Sequence, residues 1–368
     1  MKRALRIISR ILLLIAAILL IYFGYIMISY HRIEDNLVLT PEGTSSEEAA
    51  QVGKPYTIVT QNIGFGAYTP DFTFFMDGGK QSRAESEESV IDCTNKAADT
   101  VLSLNPDFVC FQEVDTDSTR SWQVNQQKLL AGRFPGFTGV FAVNYDSAYL
   151  LLPIHEPHGE VDAGIYTLSR IEVLSALRRS LPISTNFSKF LDLDRCYTLS
   201  RIPVANGKEL VLYNTHLSAY GSNDSIRSSQ VTMLLQDMKS EYEKGNYCIC
   251  GGDFNHDFTG DSTVVLSGGA MTDYGWAQPF PEELIPDGIR RCMDYSDEQL
   301  IPTCRNCDVP YGTECQTFVL DGFLVSDNVK ALELHNIDTG FVYSDHNPVM
   351  LKFVLEDPDE ASRNSDKS

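Results

Sequence analysis

Apolar positions along this chain follow two regimes. Residues 11–30, ILLLIAAILLIYFGYIMISY, are uninterrupted by charge, and twenty residues is the length that carries a helix across a bilayer. After that the pattern breaks into short apolar runs that mostly end in a polar side chain. Such runs at 56–60, 107–111, 138–149, 164–170, 196–204, 209–215, 247–250, 317–325 and 349–354 predict strands. Asn206-Gly207 between two of them is a strong hairpin signal, and Gly251-Gly252 predicts a sharp turn after the 247–250 run. Helical spacing predicts helices at 85–104 (Val90, Ala97, Ala98, Val101, Leu104), 122–130 and 225–242 (Ile226, Val231, Leu234, Leu235, Met238). Many strands, few interleaved helices and no internal repeat fit an α/β protein with two antiparallel-rich sheets flanked by helices.

The flanks of the long apolar run give it a direction. Lys2, Arg3, Arg6 and Arg10 precede it, whereas Glu34 and Asp35 stand beside His31 and Arg32 after it. The basic side stays cytoplasmic, so the expected order is a cytoplasmic segment 1–10, a membrane signal anchor 11–30, a flexible stalk 31–54, a folded domain 55–355 outside the cytoplasm and a disordered acidic tail 356–368. A cleaved signal peptide is the alternative; the run is long for one, and no small-x-small site follows it. Residues 64–83 form a long apolar, Gly-rich loop, read either as a packed lid or as an anion-holding tip at 77–83 that includes Arg83.

The 368 residues carry a net charge of −21. Tight non-specific nucleic-acid binding needs several Lys or Arg on the phosphates, so the charge argues against a dedicated DNA binder, a local basic groove aside. Of nine cysteines, Cys93, Cys110, Cys196, Cys248 and Cys250 sit in apolar runs, while Cys292, Cys304, Cys307 and Cys315 cluster in a polar segment. Outside the cytoplasm that cluster is expected to form disulfides; a zinc site is the second reading.

The chemistry collects at run ends: Asn62, Glu113, His216, Asp253, Asn255, Asp321, Asp345 and His346. Carboxylates and carboxamides are hard oxygen donors suited to Mg²⁺ or Mn²⁺, and two histidines can contact a phosphate or protonate a leaving oxygen. The set suits metal-assisted attack of water on phosphorus.

Gln61-Asn62, Gln112-Glu113, Asn214-Thr215-His216-Leu217, Gly252-Asp253-Phe254-Asn255, the run from Leu320-Asp321-Gly322 to Ser326, and Ser344-Asp345-His346-Asn347-Pro348 resemble, in order, the motifs of the endonuclease/exonuclease/phosphatase (deoxyribonuclease I-like) superfamily, in a membrane-anchored, bacterial-type form. The resemblance spans about residues 55–355. It implies a four-layer α/β sandwich with the site at one edge of the paired sheets. It also implies that Glu113 holds the divalent metal beside Asn62, with Asp345 in support. Asp253 orients or deprotonates water, Asn255 stabilises developing charge, His216 and His346 grip the scissile phosphate, and Asp321 orients His346. Arg227 lies at a helix start where a substrate contact is expected, as Arg83 does in its loop. Thr215-His216-Leu217 is similar to the phosphatase, sphingomyelinase and deoxyribonuclease I branches, and Gly322 departs from the bulky residue usual there. The expected function is a metal-dependent hydrolase of nucleic acid, phospholipid head group or small phosphoester, with the bilayer as partner through residues 11–30 and no obligate protein partner. A catalytically inactive surface binding module is the alternative.

Overall fold

The computed structural model describes residues 2–357 apart from 187–188, 190–193, 220–223, 271–275, 294, 297–298 and 313–314. Two mixed sheets of seven strands each pack face to face. One runs in spatial order Leu37–Leu39, Ser175–Ser180, Cys196–Pro203, Glu209–His216, Tyr247–Asp253, Asp321–Ser326, Ile289–Arg291. The other runs Val329–Asn336, Val349–Leu355, Pro55–Asn62, Phe108–Asp115, Gly159–Ser169, Thr138–Leu150, Glu42–Gly43. Their inner faces share a core that includes Ile58, Phe108, Leu212, Ile249, Phe323 and Leu351. Outside one sheet, Glu87–Ser103 and Gln126–Arg133 pack Ala97, Val101 and Leu130 on Val109 and Phe111. Outside the other, Asp224–Glu243 lays Val231, Leu235 and Met238 on Val211, Cys248 and Cys250. The result is the four-layer sandwich.

Strand direction decides where the polar ends gather. Each sheet holds one parallel pair at its centre: Glu209–His216 with Tyr247–Asp253, and Pro55–Asn62 with Phe108–Asp115. Parallel neighbours finish at the same edge, so His216 pairs in register with Asp253, and Asn62 with Gln112. Asp321–Ser326 runs the other way and begins at that edge, with Asp321 opposite Asp253. Strands buried on both faces carry continuous apolar runs, and Tyr247–Asp253 is buried at every position.

The local signals hold with modest shifts. The first domain helix is capped by Ser86, whose side chain accepts from Ser89 N at 3.1 Å, worth about 1 kcal/mol. Cys196–Pro203 and Glu209–His216 form the antiparallel hairpin around Asn206-Gly207. Gly251 and Gly252 do not turn the chain; both lie inside the strand Tyr247–Asp253. They are needed for close approach: a Cβ on Gly252 would sit 2.1 Å from the Thr215 carbonyl oxygen, and one on Gly251 2.7 Å from the Phe323 ring. The 317–325 run is interrupted, Thr317–Phe318 pairing with Cys304–Arg305 while Asp321–Ser326 joins the large sheet.

Two expectations are corrected. The segment 31–54 is not a free stalk: Leu37–Leu39 pairs with Ser175–Ser180, Glu42–Gly43 pairs with Thr138–Leu150, and Ala50 is fully buried. Its few apolar residues cap sheet edges, and its polar composition hides this. The four clustered cysteines are thiols. They are separated by packing: Cys292 lies in the central core, Cys304 beside Phe318, and Cys307 under the aromatic loop. Nor does any group of three cysteine or histidine ligands suited to zinc occur among the described residues. The helix Lys2–Ser29 includes the basic residues and the apolar run, and is long and apolar enough to cross a membrane. The tail expected at 356–368 falls, from residue 358 on, outside the described residues.

Candidate active site

At the shared edge of the sheets lies a cleft of ≈ 230 Å³, lined by Glu113, His216, Asp253, Asn255, Asp345 and His346 together with Tyr68, Met76, Asp77, Arg120, Asn144, His158, Arg195, Trp276 and Arg305 among others. Residues more than two hundred positions apart in sequence therefore meet. Asn62 ties two of the acids together, its Nδ2 donating to Glu113 Oε1 at 3.2 Å and Asp253 Oδ2 at 3.1 Å, while its Oδ1 accepts from Gly64 N at 2.9 Å. Glu113 is placed by a bulge between Phe111 and Val114, where its φ is +53°. A left-handed non-glycine residue in a strand is strained, and such strain collects at functional sites.

Asp253 is fixed from both sides. Its Oδ1 accepts from Asn255 N at 2.9 Å, and its Oδ2 lies 3.5 Å from His216 Nε2 and 3.8 Å from His346 Nε2. His346 Nδ1 stands 2.8 Å from Asp321 Oδ2. The partnership predicted for this pair explains how a carboxylate is tolerated inside a buried strand. Asn255, at φ +50°, donates its Nδ2 to the Leu217 carbonyl at 2.8 Å, so one of its two amide protons remains to face the cleft.

Burial and crowding of negative charge set the electrostatics. Burial pushes Asp253 up to about 6; His346 opposes this and Asp321 adds to it. Burial likewise pushes Asp345 up to about 7, and Glu113 is the main charge raising it further. For His346 burial alone would lower the imidazole, but the Asp321 carboxylate outweighs it, and the ring is held well above its ordinary value. His216 moves the other way, well below its ordinary value, through burial and then the charge of Arg195. The two histidines are thus pushed in opposite directions, His346 toward the imidazolium and His216 toward the neutral ring.

Arg120, Arg195, Arg305 and His346 share the cleft with the acids. Arg120 Nη2 is 4.0 Å from Glu113 Oε2, but its guanidinium is bound in a fork to Asp115 at 3.0 and 2.8 Å. Burying Asp253 and Asp345 is still costly, since both are pushed upward despite His346, and their oxygen donors suit a hard divalent cation. Glu113, Asp253 and Asp345 carry such donors in the cleft lining, while Asn62 turns its NH₂ rather than its oxygen toward Glu113 and Asp253. Among the described residues, the group of three whose ligand atoms lie within 4.8 Å of one another is Asp253, Asp321 and His346, in which His346 Nδ1 is engaged by Asp321.

Arg83 and Arg227 do not line the cleft. Arg83 Nε donates to the Pro157 carbonyl at 2.6 Å, and Arg227 Nη2 to the Asn255 carbonyl at 2.7 Å, so Arg227 braces a cleft residue from behind. The cleft's arginines are Arg120, Arg195 and Arg305, which sit in segments without periodicity and carry no sequence signal. The 64–83 loop takes its packed reading: Phe65, Tyr68, Phe72 and Phe74 form a buried aromatic cluster, and Tyr68, Phe74, Met76 and Asp77 line one wall.

A sequence profile of the endonuclease/exonuclease/phosphatase family matches residues 59–346. The chain belongs to that family. Solved structures with the same fold include ANGEL2, a 2′,3′-cyclic phosphatase, in complex with adenosine-2′,3′-vanadate (14% identity, TM-score 0.54, covering 87% of this chain and 100% of that one). Another is the endonuclease/exonuclease/phosphatase from Beutenbergia cavernae DSM 12333 (15%, 0.52, 82% and 72%). A third is D. rerio TDP2 complexed with single strand DNA product (16%, 0.50, 82% and 99%). No curated protein matches the chain in sequence. The family match covers every strand end that builds the cleft, from Asn62 to His346.

Proposed function

We propose that this endonuclease/exonuclease/phosphatase family member is a divalent-metal-dependent phosphoesterase, anchored by residues 11–30 with its domain outside the cytoplasm. The observation that carries the reading is the meeting of Glu113, Asn62, Asp253, Asp345 and the Asp321–His346 pair in one cleft. Glu113 and Asp345 would hold Mg²⁺ or Mn²⁺, with Asn62 beside them orienting Glu113 through its NH₂, and the ion would supply charge neutralisation at the phosphate. Asp253 orients the attacking water and takes its proton, and a carboxylate pushed up to about 6 is better matched to that task than an ordinary one. His346, kept protonated by Asp321, donates to a phosphate oxygen; neutral His216 and Asn255 complete the oxyanion contacts. Lys2, Arg3, Arg6 and Arg10 at the start of the apolar helix support a cytoplasmic N-terminus.

ANGEL2 is a 2′,3′-cyclic phosphatase and TDP2 is complexed with a single strand DNA product, which supports phosphorus chemistry and leaves this chain's substrate among nucleic acid, phospholipid head group and small phosphoester. The test is a Mg²⁺ panel of plasmid DNA, sphingomyelin, phosphoinositides and bis-p-nitrophenyl phosphate. Turnover of at least one, lost in EDTA and restored by Mg²⁺ or Mn²⁺, is expected. Silence on all four with either metal would sink the proposal.

A further inference from the structure

We propose that the tip of the long hairpin, residues 150–154, is a second membrane contact seated in the leaflet from which the Lys2–Ser29 helix emerges, and that it holds the catalytic cleft over lipid head groups. The inference rests on reading residues 11–30 as a membrane anchor.

Hairpin tips are ordinarily built from Gly, Asn, Asp and Ser. The loop 151–158 that joins the strands Thr138–Leu150 and Gly159–Ser169 instead opens with Leu151-Leu152-Pro153-Ile154 before His155-Glu156-Pro157-His158, and Leu151, Leu152 and Ile154 are 43%, 65% and 82% exposed. Contiguous exposed aliphatic side chains mark a contact surface. What covers this one follows from its tether. Tyr22 Oη donates to the Tyr149 carbonyl at 3.2 Å and accepts from Leu151 N at 3.1 Å, and Tyr25 Oη accepts from Tyr149 N at 3.1 Å. His31, just past the helix, lies 3.2 Å from Asp146 on the same hairpin.

Tyr25 and Tyr22 lie four and seven residues before Ser29, about 6 and 10 Å back from the outer end of the helix. That is the interfacial zone, where tyrosine side chains collect and amphipathic segments seat. A strand end bonded to those tyrosines cannot stand clear of the bilayer when the helix crosses it. Tyr149 N–H and C=O and Leu151 N–H are met by the tyrosine hydroxyls, and the Leu152 and Pro153 carbonyls accept from His158 N and Glu156 N, which lowers the cost of placing an irregular segment there.

The same hairpin reaches the cleft. His158, four residues beyond Ile154, lines the cleft wall and donates its backbone N–H to the Leu152 carbonyl at 3.1 Å. Four residues span at most about 14 Å, so the wall and the tip stay close. Glu156 accepts from Ser82 N at 2.8 Å and Arg83 Nε donates to the Pro157 carbonyl at 2.6 Å, bracing the tip against the 64–83 loop, on whose Phe74 and Phe75 the His158 ring also packs. Arg83, expected at the substrate, is therefore a brace for the tip.

The experiment uses the full chain in phosphatidylcholine vesicles with Ile154→Trp, read as the difference from the parent chain, which already has two tryptophans. The added emission is expected to shift blue and to be quenched by brominated acyl chains but not by aqueous iodide; the reverse overturns the proposal. Alkaline carbonate extraction of the same vesicles separates the failures. Release of the parent chain strikes the anchor, whereas retention with the introduced indole quenched by iodide strikes the tip alone. In a second arm, Leu152→Asp with Ile154→Asp is expected to lower hydrolysis of vesicle-borne phosphodiesters by about tenfold while leaving bis-p-nitrophenyl phosphate turnover unchanged. Equal rates on both presentations would overturn the proposed hold on the cleft.

Discussion

Asp253→Asn is expected to lower turnover by about a thousandfold, on the order of 4 kcal/mol in the barrier, with the melting transition almost unmoved. The substitution keeps shape and removes the proton acceptor. The new carboxamide can still accept from Asn255 N through its one oxygen, as Asp253 Oδ1 does at 2.9 Å. Its NH₂ group would face Asn62 Nδ2, which donates to Asp253 at 3.1 Å in the parent chain, a donor–donor contact costing about 1 kcal/mol. Removing one negative charge from a buried acid cluster offsets part of that loss. Activity and stability therefore separate, and steady-state kinetics beside a thermal melt measure both. An unchanged rate would mean that the chemistry lies elsewhere.

The second large effect belongs to the Asp321–His346 pair. His346→Gln and Asp321→Asn should each lower turnover by about a hundredfold or more, and the double variant should be little worse than the poorer single one, because groups acting as a unit are not additive. A pH profile distinguishes this from mere packing. Asp321 is the main charge holding His346 well above its ordinary value, against burial, which pulls it down. With Asp321→Asn the ring loses its proton at lower pH. Activity that needs the imidazolium then disappears as pH rises, earlier than in the parent enzyme, while the acid limb stays in place. Additive losses with an unmoved alkaline limb would reduce the pair to a structural contact.

The strand ends are legible in the sequence because each buried strand has to stop somewhere, and polar residues after an apolar run mark the stop. Their convergence requires topology: two parallel pairs at the centres of two packed sheets, which periodicity does not encode, and which the ordered motifs supply by resemblance. Ser175–Ser180 and Val329–Asn336 carry no such mark because charged residues interrupt SALRRS and VKALELHN, diluting the apolar signal of sheet members. Leu37–Leu39 is too short to stand out in a polar segment. Gly251-Gly252 mimics a turn because a glycine serving close approach looks the same in sequence as one serving left-handed backbone. Arg120 is invisible for a different reason. It enters the cleft only because Asp115 fixes it, itself held by Ser121, and the Phe65 ring lies 4.0 Å beneath it, contacts made by a loop with no periodic pattern.

Everything proposed for the cleft depends on its acids holding one hard cation. The direct measurement is Mn²⁺ binding followed by the loss of free-ion electron paramagnetic resonance signal, on the parent chain and on Glu113→Gln. Binding by the parent chain, competed by Mg²⁺ and weakened about tenfold or more in the variant, is the expected result; no binding, or equal affinity in both, would contradict it.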